Sequence, residues 1–321
     1  MLRDRSDTTR STPVQIGLVG CGRLAEFGYI PALRRVPGVK LVGVADVDPL
    51  RCSSIAPGVP AYKTIQHLID GGQAEAIIIS TPTRHHLADA TVAADAKLPA
   101  LVEKPPGVDS KEAERLLKLV PQPWLGFNRR FDPDVVKLKS QISHQEIFKI
   151  RLELCYRRRA WNPIDMQDDA LLDLGPHLID LARWFTTSEV TSVRAGTLTQ
   201  HYAEFEVKLD RGQANIVCCC NSPYLERVSV LSKDDRVLGT FRRGGILAGI
   251  VGRFFPPSET PLLHSLVGQV EAFSCAVQGL PSTQPLGSVV DGVKVMAVIE
   301  AVRDSARASG WKCPVSHSEA N

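Results

Sequence analysis

Residues 14–25 read VQIGLVGCGRLA. VQIGLVG reads as a buried strand, a glycine-rich turn follows, and a helical stretch runs from about Arg23 to Val36. Gly20-x-Gly22-x-x-Ala25 has the G-x-G-x-x-G/A spacing. The first glycine permits the tight turn. The second admits a pyrophosphate against the backbone, where a Cβ would collide, and the small third residue lets helix and strand pack closely. The phosphates then rest on free N–H groups at a helix N-terminus. Alone the pattern is weak, but a strand before it and a helix after it supply the required context. Asp46 ends the next apolar run, LVGVAD (41–46), where a carboxylate binds ribose hydroxyls. Gly20, Gly22, Arg23, Leu24 and Asp46 are therefore the expected dinucleotide contacts. Asp46, with Asp48 nearby, repels a 2′-phosphate and favours NAD. Arg51, if it folds back, partly offsets them and keeps NADP open.

Outward from this turn, AIIIST (76–81) and LPALVEKP (98–105) are further apolar strands, with helices at about 85–96 and 109–120, the latter capped by Ser110. Continuous apolar strands alternating with helices predict a parallel sheet covered on both faces. Ligands in such sheets bind beyond the carboxyl ends of the strands. Ser80-Thr81-Pro82 and Glu103-Lys104-Pro105 sit at two such ends. After Phe127 the character changes. Helical segments at 133–142 and 169–185 precede strand signals over 190–241, with turns at Asp210–Gly212 and Lys233–Asp235, and two helices close the chain (262–278, 287–308). The order predicts an α/β protein: a flexible tail (1–12), an N-terminal Rossmann dinucleotide-binding domain (13–126), and an α+β domain with a large antiparallel sheet (127–321).

A net charge of +3 and no basic block longer than Arg157–Arg159 argue against nucleic acid. No run reaches the roughly 18–20 apolar residues of a membrane helix. The polar first twelve residues lack a signal peptide's apolar core. These features point to the cytoplasm. The eight cysteines show no paired C-x-x-C spacing, and Cys218–Cys220 alternate across a strand, so no metal site is expected and the thiols read as free.

Two candidates carry chemistry. Lys104 at a strand end could polarise a carbonyl or hold an alkoxide, or be a surface lysine. In ALLDLGPHLIDLARWF (170–185), Asp173 and His177 lie i,i+4 and share a helix face. A histidine there can take a hydroxyl proton as a hydride leaves, with the carboxylate tuning it. Alternatively Asp173 caps the helix, which Pro176 suggests starts near Leu174, and His177 is a core residue.

Together these residues resemble the Gfo/Idh/MocA family of oxidoreductases, named after glucose–fructose oxidoreductase and inositol dehydrogenase, over nearly the whole chain. GLVGCGRLA matches the family's first turn. STPTRHH (80–86) resembles its T-P-N-x-x-H segment, placing Ser80, Thr81, Pro82 and His86 near the cofactor. VEKP (102–105) matches its E-K-P signature, which implies Lys104 as the catalytic lysine, with Glu103 beside the cofactor. GFNRRFDP (126–133) implies Asn128 and Arg129 in the substrate pocket. LLDLGPHLIDL implies Asp173 and His177 as the other catalytic residues, and EAVRDSARASGWKCPV (300–315) resembles the closing helix. The resemblance implies an NAD(P)-dependent dehydrogenase that interconverts a ring CH–OH and a ketone on a sugar, cyclitol or related small polar molecule. It also implies a homodimer or homotetramer paired through the C-terminal sheet.

Two departures stand out. Gln167-Asp168-Asp169-Ala170 replaces a glycine-rich run; its two carboxylates, of which Asp169 is a candidate substrate contact, either suit an amino or cationic substrate or face solvent. Thr83 replaces an asparagine. Arg157, Arg158 and Trp161 of YRRRAWNP (156–163) are candidates for a pocket wall suited to a carboxylate or phosphate. Rival readings are a non-catalytic nucleotide-binding regulator, and a reductase of an imine, a dihydrodiol or a nucleotide-linked sugar. A regulator would be expected to lose Lys104 or His177.

Overall fold

The structure is a computed structural model that describes residues 12–161, 167–245 and 260–315. Eleven of the twelve residues read as a tail lie outside the described residues, as does the side chain of Trp161.

The first sheet is built from β1 (Val14–Val19), β2 (Val39–Ala45), β3 (Ala61–Tyr62), β4 (Ala76–Ile79), β5 (Ala100–Glu103) and β6 (Trp124–Gly126). All its pairs are parallel, in the order β3-β2-β1-β4-β5-β6. The order reverses between β1 and β4, which opens a crevice at their carboxyl ends. Ile77, Ile78 and Ile79 are fully buried, as a strand covered on both faces demands. A π-helical turn (Ala25–Tyr29) after the glycine turn runs into α1 (Ile30–Arg35). The remaining helices of this half are α2 (Pro49–Ile55), α3 (Ile65–Asp70), α4 (His86–Asp95) and α5 (Ser110–Leu116). Asp109, not Ser110, caps α5, accepting the Glu112 N–H. Its extended backbone lets the carboxylate fold over the first turn.

The second half contains α6 (Pro133–Ile142), β7 (Lys149–Arg157), α7 (Arg158–Trp161), α8 (Ala170–Thr186), β8 (Val190–Leu198), β9 (Tyr202–Leu209), β10 (Gln213–Cys219), β11 (Asn221–Leu231) and β12 (Val237–Gly244). The expected antiparallel sheet is mixed: its order is β12-β11-β7-β10-β9-β8, and β7 pairs with β10 in parallel. The chain leaves β7 through α8 before returning by hairpins, and such a crossover permits a parallel pair. The turns at Gly212 and Asp235 form as expected, both with positive φ.

Two helices complete the chain, α9 (Pro261–Val277) and α10 (Val289–Ala308). Sequence order put both in the second domain. Yet α9 returns to the first: Leu266, Val270 and Phe273, all fully buried, share a core with Ile16, Leu18, Tyr29 and Ile30. Each such side chain stabilises the junction by about 1.5–3 kcal/mol. α10 lies against the second sheet, where Ser305 Oγ accepts the Ala195 N–H at 2.9 Å. No helix among the described residues is long and apolar enough to cross a membrane.

Candidate active site

The dinucleotide turn has the shape its spacing demands. Gly20 has φ +92°, and a Cβ there would lie 2.4 Å from the Ser80 carbonyl oxygen. β4 thus packs directly beneath the turn. A Cβ on Gly22 would meet nothing within 4 Å, so this side of the turn is open to a ligand. The Ser80 hydroxyl is buried without a partner. Asp46 accepts N–H groups from Cys21 (2.8 Å) and Asp48 (2.9 Å), and Arg51 lies 3.2 Å from it. A carboxylate has about four acceptor positions, so room for a ribose hydroxyl remains. Arg51 does fold back, onto both Asp46 and Asp48. The open glycine face, the unpaired Ser80 hydroxyl and the remaining Asp46 acceptor fit a dinucleotide. Arg23 turns to Glu26 at 2.8 Å and is partly exposed, as is Leu24.

The catalytic candidates converge from both halves. Lys104 Nζ donates to the Asp173 carbonyl at 2.8 Å and its carboxylate at 3.3 Å. The other Asp173 oxygen accepts from the Tyr156 hydroxyl (2.5 Å) and Arg158 (2.9 Å). Burial pushes the Asp173 carboxyl up, but Lys104, Tyr156 and Arg158 together outweigh it and hold it below the usual carboxylate range. His177 is buried with Nδ1 unpaired. Burial, reinforced by the charges of Lys104 and Arg129, holds its pKa well below the ordinary value. The imidazole is therefore neutral, as a proton acceptor requires.

The position of His177 has a structural cause. Arg130 binds Asp180 through two guanidinium contacts, at 2.8 and 2.5 Å, and reaches Asp291 on α10. His177 lies three residues before Asp180, on the same helix face. The anchor that holds α8 to the 128–131 turn therefore brings His177 towards the neighbouring Arg129. Asn128 donates to Ser265 on α9 at 3.2 Å, and its Oδ1 is buried and unpaired. Arg129 pairs with buried Glu226 at 3.0 Å, leaving Nε unpaired.

Several expectations need correction. Asp173 does not bond to His177, because its carboxylate is taken by Lys104, Tyr156 and Arg158. Nor does it cap the helix: α8 begins at Ala170, with Asp169 as N-cap accepting the Leu172 N–H at 2.7 Å. Asp169 is further paired with Arg303 at 3.0 Å. Arg158 donates to Asp173, the Asp168 carbonyl, Tyr156 and Cys220. His86 has both ring nitrogens 2.8 Å from carbonyls, of Pro105 and Thr81, and braces the two strand ends from below. Thr81 gives its hydroxyl to Asp89, while Pro82 is exposed. Glu103 is buried, with its carboxylate accepting the Tyr29 hydroxyl at 2.5 Å.

Two site residues escaped the sequence reading: Tyr156 and Cys220, whose thiol lies 3.0 Å from Arg158. The inward alternation Leu152, Leu154, Tyr156 along β7 was the available signal for the first.

Comparison with known proteins agrees with this architecture. Residues 14–123 match the model of an oxidoreductase family with an NAD-binding Rossmann fold, and residues 139–218 match the Gfo/Idh/MocA C-terminal domain. The rhizopine catabolism protein MocA of Rhizobium meliloti is 27% identical over 309 residues, covering 91% of this chain and 95% of that protein. An inositol 2-dehydrogenase of Pseudarthrobacter chlorophenolicus is 30% identical over 203 residues, 59% of each chain. Among solved structures, myo-inositol 2-dehydrogenase from Lactobacillus plantarum superposes with a TM-score of 0.79 at 20% identity, over 95% of this chain and all of that one. With both of its domains matched in order, the chain belongs to the Gfo/Idh/MocA family of NAD-binding oxidoreductases.

Proposed function

We propose that this protein is an NAD-dependent dehydrogenase that interconverts a ring CH–OH and a ketone on a cyclitol or similar sugar-like molecule. The observation that carries the reading is a neutral, buried His177 with Nδ1 unpaired, lying within the electrostatic reach of Lys104 at the end of β5. The bound nicotinamide supplies the hydride acceptor. His177 takes the substrate hydroxyl proton. Lys104 holds the developing alkoxide. Asp173, fixed by Tyr156 and Arg158, orients Lys104, while Asn128 and Arg129 present unpaired polar atoms to the substrate. Relatives named inositol 2-dehydrogenase, and a scyllo-inositol dehydrogenase from Lactobacillus casei solved with NAD(H) and scyllo-inositol, support a cyclitol. Retention of both Lys104 and His177 favours an enzyme over a regulator.

The open face of the second sheet carries Arg151, Glu204 and Arg227 in exposed positions and would pair two or four copies. The Cys21 and Cys52 thiols, unlinked at 3.4 Å, suit the reducing cytoplasm. The test is a panel of inositols, amino sugars and sugar acids with NAD and NADP. NAD-linked oxidation of a cyclitol is expected. Lys104→Ala and His177→Ala should each lower kcat by about 10²–10⁴-fold while NADH still binds. Full activity in both variants would refute the assignment.

A further inference from the structure

Glu103 immediately precedes Lys104, and only 4% of its surface is exposed. Acidic side chains are almost never buried so deeply unless paired. Among the described residues no cation forms a salt bridge with it; hydrogen-bond donors satisfy it instead. Tyr29 donates its hydroxyl to Oε1 at 2.5 Å, and the Lys104 main-chain N–H donates to Oε2 at 3.1 Å. The Tyr29 oxygen in turn accepts from Gln269 Nε2 at 2.9 Å. Tyr29 and Gln269 are both fully buried. The direction of each bond is thereby set: the Gln269 amide donates to the Tyr29 phenol, the phenol donates to the Glu103 carboxylate, and the carboxylate also accepts the Lys104 main-chain N–H.

This chain joins three elements at one point. Tyr29 ends the π-helical turn that directly follows the dinucleotide loop, Glu103 ends β5, and Gln269 lies on α9. Two glycines clear the space. A Cβ on Gly126 would lie 2.9 Å from the Glu103 carboxyl carbon, and one on Gly28 would lie 2.4 Å from Leu266 Cδ1 on α9. π-turns inside helices are rare and concentrate at functional sites. A buried carboxylate costs free energy that an apolar side chain would not. A fully bonded one specifies a single arrangement of the groups around it.

We infer that Tyr29 and Glu103 are positioning residues for hydride transfer: they fix the main chain of Lys104, and through it the amine, relative to the helix that carries the dinucleotide turn. The inference rests on the reading of Lys104 as the group that holds the substrate oxygen. A displacement of about 1 Å at such a site costs about a hundredfold in rate.

The experiment is a double-mutant cycle of Tyr29→Phe with Lys104→Ala, joined to amide hydrogen exchange over residues 101–107. Tyr29→Phe removes one hydroxyl and keeps the ring. It should lower kcat about tenfold on the cyclitol oxidised fastest, with KM and the NADH dissociation constant within about twofold of wild type. It should also speed exchange of the Lys104 N–H about tenfold, a readout that needs no substrate. In the Lys104→Ala background the same change should cost nothing further. Glu103→Gln, which keeps an acceptor for the Lys104 N–H, should retain more activity than Glu103→Ala. Equal losses from Tyr29→Phe in both backgrounds, or unchanged exchange at Lys104, would overturn the inference. Full activity of Lys104→Ala would instead overturn the assignment of Lys104 itself.

Discussion

Asp173→Asn tests the arrangement at the centre of the site. The Asp173 side chain is 4% exposed, and the Lys104 and Arg158 side chains that face it are each 13% exposed. Asparagine keeps the size and one acceptor but leaves two cations facing each other without an anion. Removing one partner of a buried pair costs about 3–5 kcal/mol. Both cationic groups retain some contact with the crevice, so the lower end, about 3 kcal/mol, is expected at pH 7. At roughly 2–4 °C per kcal/mol for domains of this size, the melting temperature should fall by about 6–12 °C. The sign of the pH dependence follows from the depressed folded-state pKa. In the unfolded chain Asp173 titrates near 3.9. Its stabilisation is complete above that value and is lost as the pH falls through the lower folded pKa. Urea denaturation of both proteins at pH 7, 5 and 3 should show a gap that persists at pH 5 and shrinks by pH 3. A gap below about 1 kcal/mol at pH 7 would refute the argument, as would one undiminished at pH 3, since the source would then not be ionisation.

Three further outcomes are expected. His177 is held neutral by burial and by Lys104 and Arg129, so the unfolded chain binds a proton there that the folded chain refuses. Stability should fall as the pH drops below about 6.5, by about 1.4 kcal/mol per unit from this residue, and His177→Asn should flatten that limb in urea titrations. Identical slopes would show that His177 is not the group responsible. At the dinucleotide turn, Gly20→Ala drives a Cβ towards the Ser80 carbonyl and should lower both melting temperature and NADH affinity, the latter about 5–30-fold for a strain of about 1–2 kcal/mol. Gly22→Ala meets no protein atom and should weaken NADH binding with the fold intact. Wild-type binding by Gly22→Ala, measured by NADH fluorescence, would show that the pyrophosphate lies elsewhere.

The amino-acid sequence by itself determined the local pieces. Gly20, Gly22 and the flanking apolar run specify a strand, a turn and a helix within a dozen residues, and each requirement is met by neighbours in the chain. The strand ends carrying Ser80 and Glu103-Lys104, and the helix carrying Asp173 and His177, follow from the same short-range periodicity. Only the tertiary structure decided which polar groups meet. Asp173 is four residues from His177 but bonds to Lys104, 69 positions away. Glu103 finds Tyr29 across 74 positions, and Tyr29 finds Gln269 across 240. Likewise the parallel pairing of β7 with β10 and the return of α9 to the first sheet depend on how layers stack, not on any one segment. A carboxylate's spacing on a helix shows which face it occupies. The donors that satisfy it when buried belong to whichever distant segments the packed core presses against that face.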